Sequence, residues 1–179
     1  MPTQEFNHPD RFVAGTVGPP GARTFFLQAV QGRRVVSVSL EKEQVAVLAE
    51  RVNDLLDELA IDEDLPVAEE DNEPLTPPIE DEFRVSTLSL AWEPEQKVLI
   101  IEAHDRQVEL EPTEDGQELR EVPDPDAQLV RVLLDAAQAR EFARRGLAAV
   151  ADGRPSCPFC GGPLDPDGHI CPRANGYRR

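Results

Sequence analysis

The sequence predicts an α+β fold: a duplicated β-β-β-α unit, with antiparallel sheets and two helices, followed by a small cysteine-bearing tail. Three observations predict it. Segments with alternating apolar and polar residues come in groups, and each group ends in a helical pattern. The two helical patterns place apolar residues on one face at a 3.6-residue period. A stretch of the first half also recurs in the second half at a constant offset. The chain has 179 residues, 40% of them hydrophobic but only 5% aromatic, so its core must be built largely from Leu, Val and Ala.

The elements follow in order. Residues 12–17, Phe-Val-Ala-Gly-Thr-Val, read as a short strand. Gly18-Pro-Pro-Gly21 is a turn, because Pro presets φ and Gly accepts positive φ. Residues 23–30 make a second strand, Gln31-Gly32 turns the chain, and residues 34–40 alternate cleanly as a third. A helix is expected over 41–60, where Val45, Leu48, Ala49, Val52, Leu55, Leu56 and Leu59 trace one face. Glu43, Glu50, Asp54, Asp57 and Glu58 lie mostly on the others and read as a solvated surface. Residues 1–60 thus form the first repeat.

Residues 61–82 are rich in Asp, Glu and Pro and poor in large apolar groups. Such a stretch buries too little surface to offset its ordering entropy, so it reads as a flexible acidic linker. The second repeat spans 83–152. Strands are expected at 84–92 and 97–104, with a turn at 93–96, a short strand at 107–111 and a further strand at 128–134. An acidic, Pro-containing loop is inserted at 112–127, and a helix closes the repeat at 136–150.

The internal repeat sets residues 36–51 against 130–145 at an offset of 94. Val36/Val130, Val38/Val132, Leu40/Leu134, Gln44/Gln138, Ala49/Ala143 and Arg51/Arg145 are identical pairs. Upstream, Phe12 and Phe83 each open a hairpin in this reading. Recurrence of Gln44 and Gln138 invites a catalytic role, but capping explains it more simply. Asp135 with Gln138 three residues later is a capping box, and Glu41 with Gln44 is a weaker version because Glu is a poor N-cap. A ligand groove is expected where the two repeats meet, although a fold does not by itself give a function.

The net charge of −17 is unevenly spread. Residues 1–40 carry four Arg against two acids, and residues 127–179 eight Arg against five acids. Residues 41–126 hold six basic residues against 28 acids, a net −22. A polyanion would be repelled by that middle, so nucleic-acid binding is not expected. No apolar run is long enough to span a bilayer and residues 1–12 lack a signal-peptide pattern, which leads to the expectation of a cytoplasmic protein without membrane insertion.

No catalytic motif is present in the body: no Gly-x-Gly-x-x-Gly, Walker sequence, His-Glu-x-x-His or Gly-x-Ser-x-Gly. His8 and His104 stand alone. His104 precedes Asp105 at a strand end, where a histidine is expected to be exposed rather than part of a His–Asp relay. No catalytic or cofactor-binding residue is assigned in the body, and the reading leans away from an enzyme.

The chemistry-bearing residues lie in the tail, residues 153–179. All three cysteines are there, in Cys157-Pro-Phe-Cys160-Gly-Gly-Pro-Leu-Asp-Pro-Asp-Gly-His169-Ile-Cys171. A Cys-x-x-Cys turn brings two sulfurs to one point, and His169 and Cys171 project to one side of an extended segment. Three thiolates and an imidazole fill a tetrahedral Zn²⁺ shell, so Cys157, Cys160, His169 and Cys171 are the expected ligands of a structural zinc ribbon. Four protein ligands leave no position for a reacting water. A Cys157–Cys160 disulfide would strand Cys171, and iron is a less suited ion for this donor set.

Asp10-Arg-Phe-Val-Ala-Gly-Thr-Val-Gly18, Arg23-Thr-Phe-Phe-Leu-Gln28, Leu40-Glu-Lys-Glu-Gln44, Gly153-Arg-Pro-Ser-Cys-Pro-Phe-Cys-Gly161 and His169-Ile-Cys-Pro-Arg-Ala-Asn-Gly-Tyr177 resemble the actinobacterial domain-of-unknown-function family 3090 over nearly the full length. The resemblance implies an actinobacterial, cytosolic protein and attaches no activity to it. The leading expectation is an adaptor or protein-binding protein whose tail contacts a protein partner. The alternative is an enzyme or binding protein for a phosphorylated small molecule, held between the repeats by Arg11, Arg23, Arg33 and Arg34. A third reading is a nucleic-acid contact through the Arg-bearing tail.

Overall fold

The structure is a computed structural model that describes residues 3–59, 67–122, 124–153, 157–162, 164 and 169–173. Its strands are β1 (Thr3–Asn7), β2 (Arg11–Val17), β3 (Thr24–Gln31), β4 (Arg34–Leu40), β5 (Asp81–Arg84), β6 (Thr87–Glu93), β7 (Val98–His104), β8 (Leu110–Pro112), β9 (Leu119–Glu121) and β10 (Leu129–Leu134). The helices are α1 (Lys42–Glu58) after β4 and α2 (Ala136–Ala151) after β10. The fold is α+β, as the periodicities predict.

Two four-stranded sheets carry the body, one in the order β2-β3-β4-β5 and one in the order β6-β7-β10-β1. Both differ from a pure antiparallel meander in one respect. The pairs β4–β5 and β1–β10 are parallel, and β1 and β5 are not expected from the sequence. The physical reason is that each of these short strands has a single large apolar residue, Phe6 or Phe83, set among polar neighbours. Alternation cannot be read from one apolar position, yet both rings are buried.

This placement corrects the pairing of Phe12 with Phe83. Phe12 lies inside β2, while Phe83 lies in β5, between the Ser37–Asp81 and Ser39–Arg84 partners. The residue placed like Phe83 is Phe6, which stands opposite Val132 on β10. The next backbone bonds match as well: His8 N–H donates to Leu133 O at 3.0 Å, and Val85 N–H to Ser39 O at 2.8 Å. In both sheets, therefore, a strand from one half lies parallel to the last strand of the other half.

The helices form because their apolar faces have a place to go. Val45, Leu48, Ala49, Val52 and Leu56 of α1 and Ala136, Ala139, Phe142 and Ala143 of α2 are buried in one core with the inner faces of both sheets. The rings of Phe12 and Phe142 stack with centroids 4.8 Å apart. Small residues let the helices approach: a Cβ on Gly146 would lie 3.3 Å from Ala49 Cβ. Asp135 and Gln138 make a full capping box, with Gln138 N–H donating to Asp135 Oδ1 at 2.8 Å. At α1, Gln44 Oε1 accepts from Glu41 N–H at 2.8 Å, while the Glu41 carboxylate pairs with Arg84. The side-chain Nε2 of each glutamine donates to the turn after a parallel strand, to Pro9 O from Gln138 and to Val85 O from Gln44. Capping and strand anchoring account for the recurring Gln.

Residues 67–80 belong to the stretch whose composition reads as an acidic linker. They cross the outer face of the first sheet as a strap. Leu75 packs on Val13 and Phe26, close enough that a Cβ on Gly15 would lie 2.6 Å from Leu75 Cδ2. Gln28, wholly buried on β3, clamps Thr76 by accepting from its N–H at 2.7 Å and donating to its C=O at 2.8 Å. Asp71 receives Arg11 Nε at 2.5 Å, Arg11 Nη2 at 2.8 Å and Arg145 Nη1 at 2.8 Å. In the same way, residues expected to be a short strand and an acidic loop form the β8–β9 hairpin, with Leu110 opposite Glu121.

Candidate metal centre

Cys157, Cys160, His169 and Cys171 come together in the tail: one ligand atom from each lies within 4.8 Å of all the others. Local chain chemistry builds the first half of the cluster. Pro158 and Phe159 form a turn that Gly161 closes, donating its N–H to Cys157 O at 2.9 Å. Gly161 has a φ of +74°, which glycine adopts without strain and other residues rarely do. Cys157 N–H then bonds Gly162 O at 2.7 Å, and Gly162 N–H points at Cys160 Sγ at 3.4 Å. In the second half His169 and Cys171, two residues apart, reach the same point. Among the described residues of the tail there is no strand.

The donor set and its spacing fit a tetrahedral ion. A Zn–S bond of about 2.3 Å places two sulfurs of a tetrahedron about 3.8 Å apart, and Cys157 Sγ and Cys171 Sγ are 3.7 Å apart. Cys160 Sγ and His169 Nε2 are at hydrogen-bond distance, 3.1 Å, so an ion would spread this pair by about half an ångström given Zn–N near 2.0–2.1 Å. The thiols are electrostatically unequal. Backbone N–H groups of Cys160 and Phe159 hold the Cys157 thiol down at about 6. At Cys160 the Gly162 N–H acts in the same direction, but burial and the two other sulfurs push its thiol up. Cys157 is thus the readier thiolate, and a cation is what would draw the proton off Cys160. Cys157 and Cys171 are buried, whereas the neighbouring Phe159 and Ile170 are 64% and 83% exposed.

The other singled-out residues are elsewhere and apart. Arg11 spends its guanidinium on Asp71, Pro74 O, Glu73 O and Thr76. Arg23, at the opposite end of β2–β3, donates to Asp152 O at 2.6 Å, beside a hollow of about 410 Å³ that Lys42 and Arg84 also line. Arg34 lies over the Phe6 ring and bonds Glu5 O. Arg33 occupies the β3–β4 turn. These arginines do not converge. A groove of about 590 Å³ does lie between the halves, between α1 and β6, but Arg51 is the cation that lines it, with Glu43 and Glu58 on its rim and Leu48, Leu55, Leu88 and Leu90 as its floor.

His104 is the residue sequence reading misplaces. It is 5% exposed rather than solvated, and Asp105 turns away to Arg106 and to Gln128 N–H. The carboxylate facing His104 is Glu102, two residues earlier on the same face of β7, with Oε2 3.6 Å from Nε2. Burial alone would raise the Glu102 carboxyl, but hydrogen bonds from Arg131 and Ser89 hold it below its ordinary value. The alternation of β7 places 102 and 104 on the outer face, which was legible; the approach of Glu121 from β9 to that face was not.

No helix among the described residues is long and apolar enough to cross a membrane. No curated protein and no solved structure is significantly similar to the chain. A family model described as "Protein of unknown function (DUF3090)" matches residues 4–171, and the chain belongs to that family.

Proposed function

We propose that this is a cytoplasmic adaptor, without catalytic activity of its own, whose tail is folded by a structural Zn²⁺ and docks on a protein partner. The observation that carries the reading is the pairing of a buried Cys₃His cluster with two large apolar side chains turned outward, Phe159 and Ile170. A short segment built from turn formers has no core to justify such groups, and exposed aromatic and aliphatic anchors are what protein interfaces use. Zinc supports the reading as the ion suited to three thiolates and an imidazole, and a filled shell suits structure rather than catalysis. The shared pairing scheme of the two sheets supports a further part of it, that the body is a duplicated unit whose halves exchange their first strands.

The phosphorylated-ligand alternative draws less support. Its arginines are engaged in separate structural contacts, and the groove between the halves has an acidic rim that repels an anion.

The test is an affinity capture with full-length protein, with a Phe159→Ser/Ile170→Ser variant and with a chain truncated after residue 153. Proteins retained by the first and lost from both others, while the double variant still holds one zinc, are the expected result. A capture profile identical in all three would overturn the adaptor reading.

A further inference from the structure

We propose a second cation site in the body: Glu102, His104 and Glu121 form an open site for a divalent cation of the zinc–manganese class. One ligand atom from each of the three lies within 4.8 Å of the other two. The His104 side chain is 7% exposed, and its Nε2 is buried with no hydrogen-bond partner among the described residues. Glu102 Oε2 is its nearest acid oxygen, yet at 3.6 Å it is beyond hydrogen-bond length. A buried imidazole nitrogen is costly to leave unmade, and one aimed between two carboxylates is placed as a ligand lone pair would be.

The surroundings agree. Thr87, directly across the β6–β7 pair from His104, also buries a hydroxyl with no partner among the described residues. That leaves two orphan polar atoms on neighbouring strands. Glu102 is oriented by Ser89 Oγ at 2.9 Å and by Arg131 Nε at 2.6 Å, the support that metal-ligating carboxylates commonly have. Arg131 is the cation facing the cluster and Glu5 flanks it at 3.6 Å, so with Glu102 and Glu121 the acids outnumber the bases. Glu121 makes no side-chain hydrogen bond or ion pair among the described residues, although the preceding Arg120 is paired with Glu111.

The chemistry follows from the donors. One imidazole and two carboxylates suit Zn²⁺, Mn²⁺ or Fe²⁺ better than Ca²⁺ or Mg²⁺. Three protein ligands leave coordination positions for water or an external ligand, in contrast to the filled shell of the tail. The ion would also tie the β8–β9 hairpin to the outer face of the second sheet through Glu121. The inserted acidic segment would then be a lid that the cation fastens.

Manganese separates this site from the tail, because thiolates favour softer ions. Full-length protein with its tail loaded with zinc is titrated with Mn²⁺ and free Mn²⁺ is read by electron paramagnetic resonance. One equivalent should bind to wild type and to Cys160→Ser. Binding should weaken at least tenfold in Glu121→Gln and in His104→Gln. Mn²⁺ should also slow amide exchange in residues 110–121 of wild type and Cys160→Ser, but not of Glu121→Gln or His104→Gln. Glu121 is exposed, so Glu121→Gln tests the site without risk to the fold. Absence of Mn²⁺ binding, or binding by a folded Glu121→Gln or His104→Gln variant as tight as wild type, overturns the proposal. Neither outcome bears on the tail.

Discussion

Replacing Asp71 by Ala tests whether the acidic strap is held by its charges. In the structure the carboxylate receives two hydrogen bonds from Arg11, one from Arg145 and one from Glu73 N–H at 3.1 Å. Arg11, Asp71 and Arg145 have side chains 17%, 23% and 11% exposed, so the cluster is largely but not wholly withdrawn from water. Breaking a buried ion pair from one side costs about 3–5 kcal/mol, because the partner charge is left uncompensated. Here the cost is smaller. Arg145 keeps Ala14 O and Asp71 O, Arg11 keeps Pro74 O and Glu73 O, and residual exposure screens the remainder. We expect a loss of about 2–3 kcal/mol, or roughly 4–12 °C in Tm for a chain of this size. The assay is urea and thermal unfolding of wild type and Asp71→Ala, with limited proteolysis of residues 67–80. The pH dependence follows from the same contacts. Hydrogen bonding from Arg11, against the opposing effect of burial, holds the Asp71 carboxyl below its ordinary 3.8. A depressed acid contributes stability above its unfolded-state value and loses it as pH falls through the folded value. The gap between variant and wild type should therefore begin to narrow as pH falls below about 3.8 and close only below the lower, folded-state value. A loss under 1 kcal/mol at neutral pH, or a difference that persists at low pH, would refute the reasoning.

Three other outcomes follow. Phe142→Ala removes a ring that is 1% exposed and stacked on Phe12, and should cost about 3–5 kcal/mol by chemical denaturation. Gly15→Ala would drive a methyl into Leu75, so the strap should loosen, with a cost of about 1–3 kcal/mol and faster proteolytic nicking near residue 75. Cys160→Ser should hold at least half an equivalent less zinc than wild type, the share that the tail cluster binds, while unfolding of the body is unchanged within about 0.5 kcal/mol, the range of substitutions that touch no core contact. Metal analysis of protein purified without added zinc gives the reference.

The core of the fold was legible because its elements repeat their signal. β3, β4, β7 and β10 each carry several alternating apolar residues, and both helices carry a full apolar face and a cap. β1 and β5 were not, because a strand with one phenylalanine has no period to read. The clustering of the tail side chains was legible for a different reason: Cys-x-x-Cys and His-x-Cys are local geometry, and the four side chains do come together. His104 illustrates the reverse. Its position on β7 was readable, but its burial and the approach of Glu121 from β9 were not.

By itself the sequence determined what depends on neighbours along the chain: strand and helix periods, the two capping glutamines, the charge imbalance and the Cys₃His donor set. Tertiary structure alone decided which strand pairs with which half, that residues 71–76 of the acidic stretch lie ordered against Gln28, Arg11 and Arg145, and that Glu121 ends up beside the Glu102–His104 pair of β7. Those outcomes rest on contacts between residues tens of positions apart. Their free energy comes from burial and charge pairing that no local window contains, which is why composition suggests a loose acidic linker where the folded chain has a fastened strap.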